Sequence, residues 1–240
     1  DPVTRTCGAG SYTAMKELFR TAWTPAPAPG RHYVVRGGTY PYVNNNPGNP
    51  TTGCWPAVSP ILHVSGANGT PSQPIIFKAY KNPITGVYEQ PVLDATGVSC
   101  EITALLWVHG SSYIIVDGFT ATGARFGTGS GKAIYLGGSG YGTGGISTLT
   151  EPVHHVAVRH SIASHNGGPN TWRGGVYVPG PSHEVLLEYI ESFDNGSGVE
   201  LGAPHTTDMS ILPYNVWVDH LLSYGHTLGG GNSGGLHPTG

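Results

Sequence analysis

The hydrophobic positions of this chain recur in a short phrase: apolar, variable, apolar, variable, small. It appears as Leu62-His63-Val64-Ser65-Gly66, Leu106-Trp107-Val108-His109-Gly110 and Ile134-Tyr135-Leu136-Gly137-Gly138. It returns as Val176-Tyr177-Val178-Pro179-Gly180, Val199-Glu200-Leu201-Gly202-Ala203 and Leu236-His237-Pro238-Thr239-Gly240. A period of two makes each copy a strand with alternate residues facing one side. A second phrase follows the first five copies: Ile75-Ile76-Phe77-Lys78, Ile114-Ile115-Val116-Asp117, Val156-Ala157-Val158-Arg159, Val185-Leu186-Leu187-Glu188 and Val216-Trp217-Val218-Asp219. Tyr33-Val34-Val35-Arg36 is an earlier, looser copy, and a third short strand such as Phe119-Thr120-Ala121 or Leu221-Leu222-Ser223 comes next.

Two or three short strands per period cannot bury their apolar face alone, so successive periods must stack. The central residues of the first phrase lie 44, 28, 42, 23 and 37 residues apart. The shortest interval is close to a bare coil, and the longer ones carry corner insertions. The expected fold is therefore all-β: a right-handed parallel β-helix solenoid of about six coils.

The start of the chain differs. Tyr12, Met15, Phe19 and Ala22 recur at helical spacing, with Ser11 as an N-cap and Pro25 ending the run. Residues 11–24 are expected to form an amphipathic capping helix. Residues 1–30 thus make a cap and Pro-rich connector, and 31–240 the solenoid. The last copy of the strand phrase ends on Gly240 with no matching cap. Its open end is expected either to reflect truncation or to meet another molecule, so the chain is a monomer or self-associates end to end.

Composition narrows the class. Only 10% of the 240 residues are charged and the net charge is −3, so the basic footprint of a nucleic-acid binder is missing. No apolar run approaches the ~18 residues of a membrane-spanning helix, and no leader is visible at Asp1, read as a mature start. Cys54 and Cys100 each precede an equivalent strand in neighbouring coils, which suggests a disulfide and an oxidising, extracellular setting. Cys7 is then left over, and its pairing with either remains an alternative. Asn68-Gly69-Thr70 and Asn195-Gly196-Ser197 match the glycosylation pattern, as short Asn-Gly turns often do.

The stretches Tyr33-Val34-Val35-Arg36-Gly37-Gly38-Thr39-Tyr40, Pro74-Ile75-Ile76-Phe77-Lys78-Ala79-Tyr80 with Pro91-Val92-Leu93-Asp94, and Ser112-Tyr113-Ile114-Ile115-Val116-Asp117-Gly118-Phe119 resemble phrases of the pectate-lyase-like superfamily. The likeness is to secreted right-handed β-helix proteins of polysaccharide lyase families six and nine. It implies a fold more than an activity, because that superfamily hosts lyases, hydrolases, adhesins and structural proteins.

In the first strand phrase the central residues are expected to face solvent as a ladder: His63, Trp107, Tyr135, Tyr177, Glu200 and His237. At ~4.8 Å per coil it spans roughly 24 Å and offers aromatic faces to sugar rings. Loops 139–155, carrying Glu151, His154 and His155, and 204–215 wall one side; loops 125–133 and 167–174 wall the other. His63, Trp107, Tyr135 and Trp172 are the expected substrate-binding residues. For catalysis, β-elimination needs a base, a cation for the uronate carboxylate and an acid for the leaving oxygen. Lys132 and Arg173 are similar in type and approximate place to the pair in lyase family six, and Tyr177, Glu200 and His237 complete the expected catalytic set. A hydrolase would need a second carboxylate, from Glu151 or Asp208. Calcium is possible but unsupported by so few acidic ladder residues. No metal site is expected, because consecutive His154 and His155 point oppositely in a strand. No cofactor is expected either.

The second phrase suggests a charge ladder of Arg36, Lys78, Asp117, Arg159, Glu188 and Asp219, read as structural. Asn166 and Asn195 are expected to stack at one corner and bond backbone. Two functions stand: a secreted polysaccharide-binding lyase, or a non-catalytic, self-assembling filament or adhesin subunit.

Overall fold

Strict alternation and β-branched residues produce fifteen strands in a computed structural model that describes residues 27–42, 60–98, 102, 104–124, 131–138, 151–167, 174–202, 212–226 and the backbone of 236–239. The expected capping helix, the cysteines and the tips of the corner loops lie outside these residues. Every pairing between the named strands is parallel. No helix of the described residues is long and apolar enough to cross a membrane.

The first phrase builds a six-stranded sheet of β3 (Leu62–Ser65), β6 (Ala104–His109), β9 (Lys132–Leu136), β11 (Val176–Val178), β13 (Val199–Gly202) and β15 (Leu236–Thr239), stacked in that order. Its register is the expected one: His63 opposes Trp107, then Tyr135, Tyr177, Glu200 and His237.

A nine-stranded sheet takes the second and third phrases. One limb is β1 (His32–Val35), β4 (Ile75–Ala79) and β7 (Ser112–Asp117); the other is β2 (Gly38–Pro41), β5 (Pro91–Asp94) and β8 (Thr120–Thr122). Both limbs join on β10 (His154–Ser164), followed by β12 (His183–Phe193) and β14 (Tyr214–Tyr224). The second and third phrases, separate in the early rungs, merge here into continuous eleven-residue strands. One core lies between the sheets, with Leu62, Leu106, Ile134 and Val176 from one and Phe77, Val116, Val158 and Leu187 from the other.

One expected register is wrong. Val34, not Arg36, opposes Lys78. Arg36 lies past the end of β1 and instead grips Glu89 through Nε (2.6 Å) and Nη2 (2.8 Å), with its guanidinium 4.5 Å from the Tyr80 ring centroid. The rest of the charge ladder is in register: Lys78, Asp117, Arg159, Glu188 and Asp219. Arg159 and Glu188 pair at 2.9 Å, a half-exposed contact worth about 0–1 kcal/mol.

The corners carry a feature the alternating pattern hides. Tyr113, His155, Glu184 and Asn215 all have φ between 51° and 54° and follow one another up the rungs. Five residues on, Gly118, His160, Tyr189 and His220 repeat the left-handed conformation, and five further Gly123, His165, Asp194 and Gly225 do so again. A single left-handed residue redirects the chain while the flanking segments stay paired. Outside glycine it costs roughly 1–2 kcal/mol, tolerated where stacking over-determines it. Most of these side chains face solvent.

Beside the third column, Asn166 and Asn195 form the expected stack, both fully buried. Asn166 Nδ2 donates to Ala121 O (3.1 Å), Ser164 O (2.6 Å) and Asn195 Oδ1 (3.0 Å), while its Oδ1 accepts from Ala124 N. Asn195 Nδ2 donates to Ala163 O (2.8 Å). Replacing Asn166 with Ala strands these buried partners. Urea denaturation of Asn166→Ala should show a loss of about 2–4 kcal/mol. A loss below about 0.5 kcal/mol, the size of a typical surface change, would mean that the corner does not depend on the stack.

Candidate functional site

Alternation places the ladder residues opposite the core, as expected, but the face they occupy is not open. Trp107, Tyr135 and Tyr177 are buried together with Ala104 in a second cluster, and Glu200 and Lys132 are buried as well. A parallel sheet covered on both faces accounts for this: outward from the core is not outward to water. The rings stack at rung spacing, Trp107 on Tyr135 at 5.5 Å and Tyr135 on Tyr177 at 5.4 Å. Their polar atoms are used internally: Trp107 Nε1 donates to Gly137 O (3.1 Å) and Tyr177 Oη to Gly202 O (3.0 Å). Lys132 Nζ lies 4.8 Å from the Tyr135 centroid and 5.6 Å from that of Tyr177.

The expected catalytic residues Lys132, Tyr177 and Glu200 are thus gathered in neighbouring rungs, all of them buried. Trp107 and Tyr135, the expected substrate-binding residues, are buried in the same cluster. His237 sits opposite Glu200 along the backbone, whereas Trp172 and Arg173 lie outside the described residues.

The end of the ladder is different. His63, at its first rung, is half-buried and stacks on Trp107 at 5.3 Å. Its Nε2 lies 2.7 Å from His109 Nε2, and His109 Nδ1 lies 2.5 Å from Glu151 Oε2. A carboxylate only accepts, so His109 Nδ1 carries the proton toward Glu151. The result is a line of three titratable groups running from the half-exposed Glu151, through buried His109, to His63. The Glu151 carbonyl is pinned by two N–H donors from adjacent rungs, Gly110 (3.0 Å) and Gly138 (3.1 Å). Burial, followed by the neighbouring His109, lowers the His63 pKa from 6.5 to about 4, with Glu151 opposing weakly. His63 is therefore a neutral imidazole at neutral pH.

Glu151 opens on a polar cleft lined also by Ser65, Asn68, Ser111, Pro152 and His154. At its rim two columns of the long strands bring histidines together. His154 stacks on His183 (5.3 Å), and His183 on Tyr214 (4.6 Å). His155 does not point away from His154 as a regular strand would require. Its left-handed φ of 53° swings the ring round until the two Nδ1 atoms are 2.9 Å apart. Glu184, left-handed in the next rung, sets Oε2 3.1 Å from His155 Nδ1. His154 is held below its ordinary pKa by partial burial and by the adjacent His155 and His183, with Glu184 opposing. The absence of a metal-ligand cluster, inferred from strict alternation, is thereby corrected: the ligand atoms of His154, His155 and Glu184 all lie within 4.8 Å of one another.

Sequence reasoning placed Glu151, His154 and His155 in one loop wall and saw no line through His109. The signal was present, since Trp107 and His109 share a strand face two residues apart; its link to Glu151 depends on a long corner insertion that alternation does not predict. No protein-family model, curated protein or solved structure matches this chain.

The depressed His63 pKa has a stability consequence. Unfolded His63 takes up a proton near pH 6.5 and folded His63 only near pH 4. The unfolded state binds more protons in that window, so stability falls as pH drops from about 6.5 to 4. The loss is of order 2–3 kcal/mol after discounting for the solvent-facing part of the ring. Urea midpoints across this range should fall for wild type and flatten for His63→Gln; parallel curves would contradict the assignment.

Proposed function

We propose that the stacked rungs are a right-handed parallel β-helix of the pectate-lyase-like kind, and that the protein is a secreted binder of polysaccharide that cleaves uronate-containing polymer by β-elimination at the Glu151 cleft. The observation that carries this reading is the Glu151–His109–His63 line, in which a solvent-reached carboxylate in a polar cleft is backed by two hydrogen-bonded imidazoles. In β-elimination, a base takes the proton beside the uronate carboxylate, the freed C–H electron pair becomes the ring double bond, and the C–O bond breaks with its pair on the leaving sugar oxygen, which takes a proton from water in the open cleft. Glu151 is the base in this reading. His109 Nδ1–H holds the carboxylate in place, and neutral His63 donates its Nε2–H to the bare Nε2 of His109, which fixes that tautomer. Asn68, Ser65 and Ser111 supply the amide and hydroxyl groups that suit sugar hydroxyls. The cleft replaces the sealed ladder of Lys132, Tyr177 and Glu200 as the place of reaction.

A second reading, a non-catalytic assembling subunit, draws on β14. Among the described residues only β12 pairs with it, and Trp217, Leu222 and Tyr224 along it are about half exposed. An edge of this length is a template for strand addition, and electron microscopy of the purified protein would display filaments.

The enzymatic reading is tested by ultraviolet absorbance of unsaturated product on polygalacturonate, alginate and glycosaminoglycan substrates. Wild type should produce it, and Glu151→Gln should lower kcat by about 10²–10⁴-fold with a smaller change in KM. Product from no polymer sinks the lyase reading; full activity in Glu151→Gln moves the chemistry elsewhere.

A further inference from the structure

The histidine-rich corner at the start of β10 and β12 has a geometry that sugar binding does not require. His154 and His155 Nδ1 are 2.9 Å apart, and His155 Nδ1 and Glu184 Oε2 3.1 Å. A tetrahedral ion with bonds of about 2.0–2.1 Å separates its ligands by about 3.3 Å; these two distances are close to that, and all three ligand atoms lie within 4.8 Å of one another. The three come from two adjacent rungs fixed by the β10–β12 register. Ring stacking holds them further: Tyr113 lies on His155 at 4.4 Å, and His154 on His183 at 5.3 Å.

His183 adds an independent sign. Its Nδ1 lies 3.2 Å from Pro181 O, a group that only accepts, so Nδ1 carries a proton. In the neutral ring, Nε2 is then a lone pair, 3.7 Å from the Glu184 carboxylate. Two acceptors facing each other at that distance are served by a cation between them, and a backbone carbonyl orienting the far ring nitrogen is the usual support of a metal-bound histidine.

We propose that His154, His155 and Glu184, with His183 Nε2 3.7 Å from the Glu184 carboxylate beside them, bind a divalent first-row transition metal of the zinc class. Imidazole with a single carboxylate suits zinc, and calcium would demand more oxygens. Metal binding here is independent of the polymer reading; only a role for the ion in neutralising a uronate beside the cleft, which His154 also lines, rests on it.

The test is calorimetric titration of the full chain, stripped with chelator, with zinc chloride at pH 7.5. One saturable equivalent is expected, with calcium chloride giving none. His155→Ala and Glu184→Gln should each weaken that equivalent at least about tenfold. His160→Ala, an exposed histidine in the next left-handed column, should leave it unchanged. Cobalt(II) loaded into wild type should show the visible bands of a tetrahedral nitrogen–oxygen site, a readout that does not depend on any variant folding. The proposal is overturned if zinc shows no saturable equivalent, if His155→Ala and Glu184→Gln bind as wild type does, or if His160→Ala weakens binding as much as they do. Because no polymer is present, the result stands apart from the lyase assay.

Discussion

Parallel pairing in constant register sets every column of this structure. Because strands of successive rungs stack about 4.8 Å apart, a residue's neighbours across the sheet are its equivalents in the repeats before and after it. Column identity therefore decides environment. Leu62, Leu106, Ile134 and Val176 make one line of the core, Trp107, Tyr135 and Tyr177 make a line of stacked rings, and Asn166 with Asn195 makes a buried line of amides. Each line favours side chains that are content beside copies of themselves: interdigitating aliphatics, offset rings, and amides that donate and accept in turn. Like charges do not stack well, and the charged column alternates through Lys78, Asp117, Arg159 and Glu188 before ending on Asp219.

This constraint explains what could be read from the sequence. The register of the six-stranded sheet was legible because a period of two admits only even slips without turning core residues outward. The Asn stack was legible because both residues sit at the same distance past equivalent strands. Arg36 was misplaced because β1 carries one apolar phrase without a firm period, so Val34 takes the place opposite Lys78 and Arg36, past the strand end, meets Glu89 53 residues away. The exposure of the ladder was not legible at all. Alternation separates core from not-core, whereas Lys132, Tyr177 and Glu200 show that the second face can itself be covered.

The left-handed corners were the least visible feature, and they matter most to the candidate chemistry. Glycine announces such a conformation at Gly118 and Gly123, but His155, Glu184 and Tyr189 adopt it with ordinary side chains. Nothing in their own identity marks them; Tyr189 aligns with Gly118 of an earlier rung, but His155 and Glu184 align with Tyr113, and their mark is the spacing of five to the next left-handed column.

Flat strand faces and corners consequently divide the work. On a strand face, neighbours crowd each side chain from the rungs above and below, and a second layer can close over it, which favours stability over access. At a corner, the left-handed residue splays its side chain away from the sheet while its backbone remains locked in the stack. Exposure and positional precision, usually in opposition for a loop residue, then coexist. His154, His155, Glu184 and the adjoining Glu151 cleft occupy such a corner, at the margin of a rigid sheet. A group that must meet a ligand and still hold its place to a few tenths of an ångström is better served there than on the buried aromatic ladder, whose side chains are spent on one another.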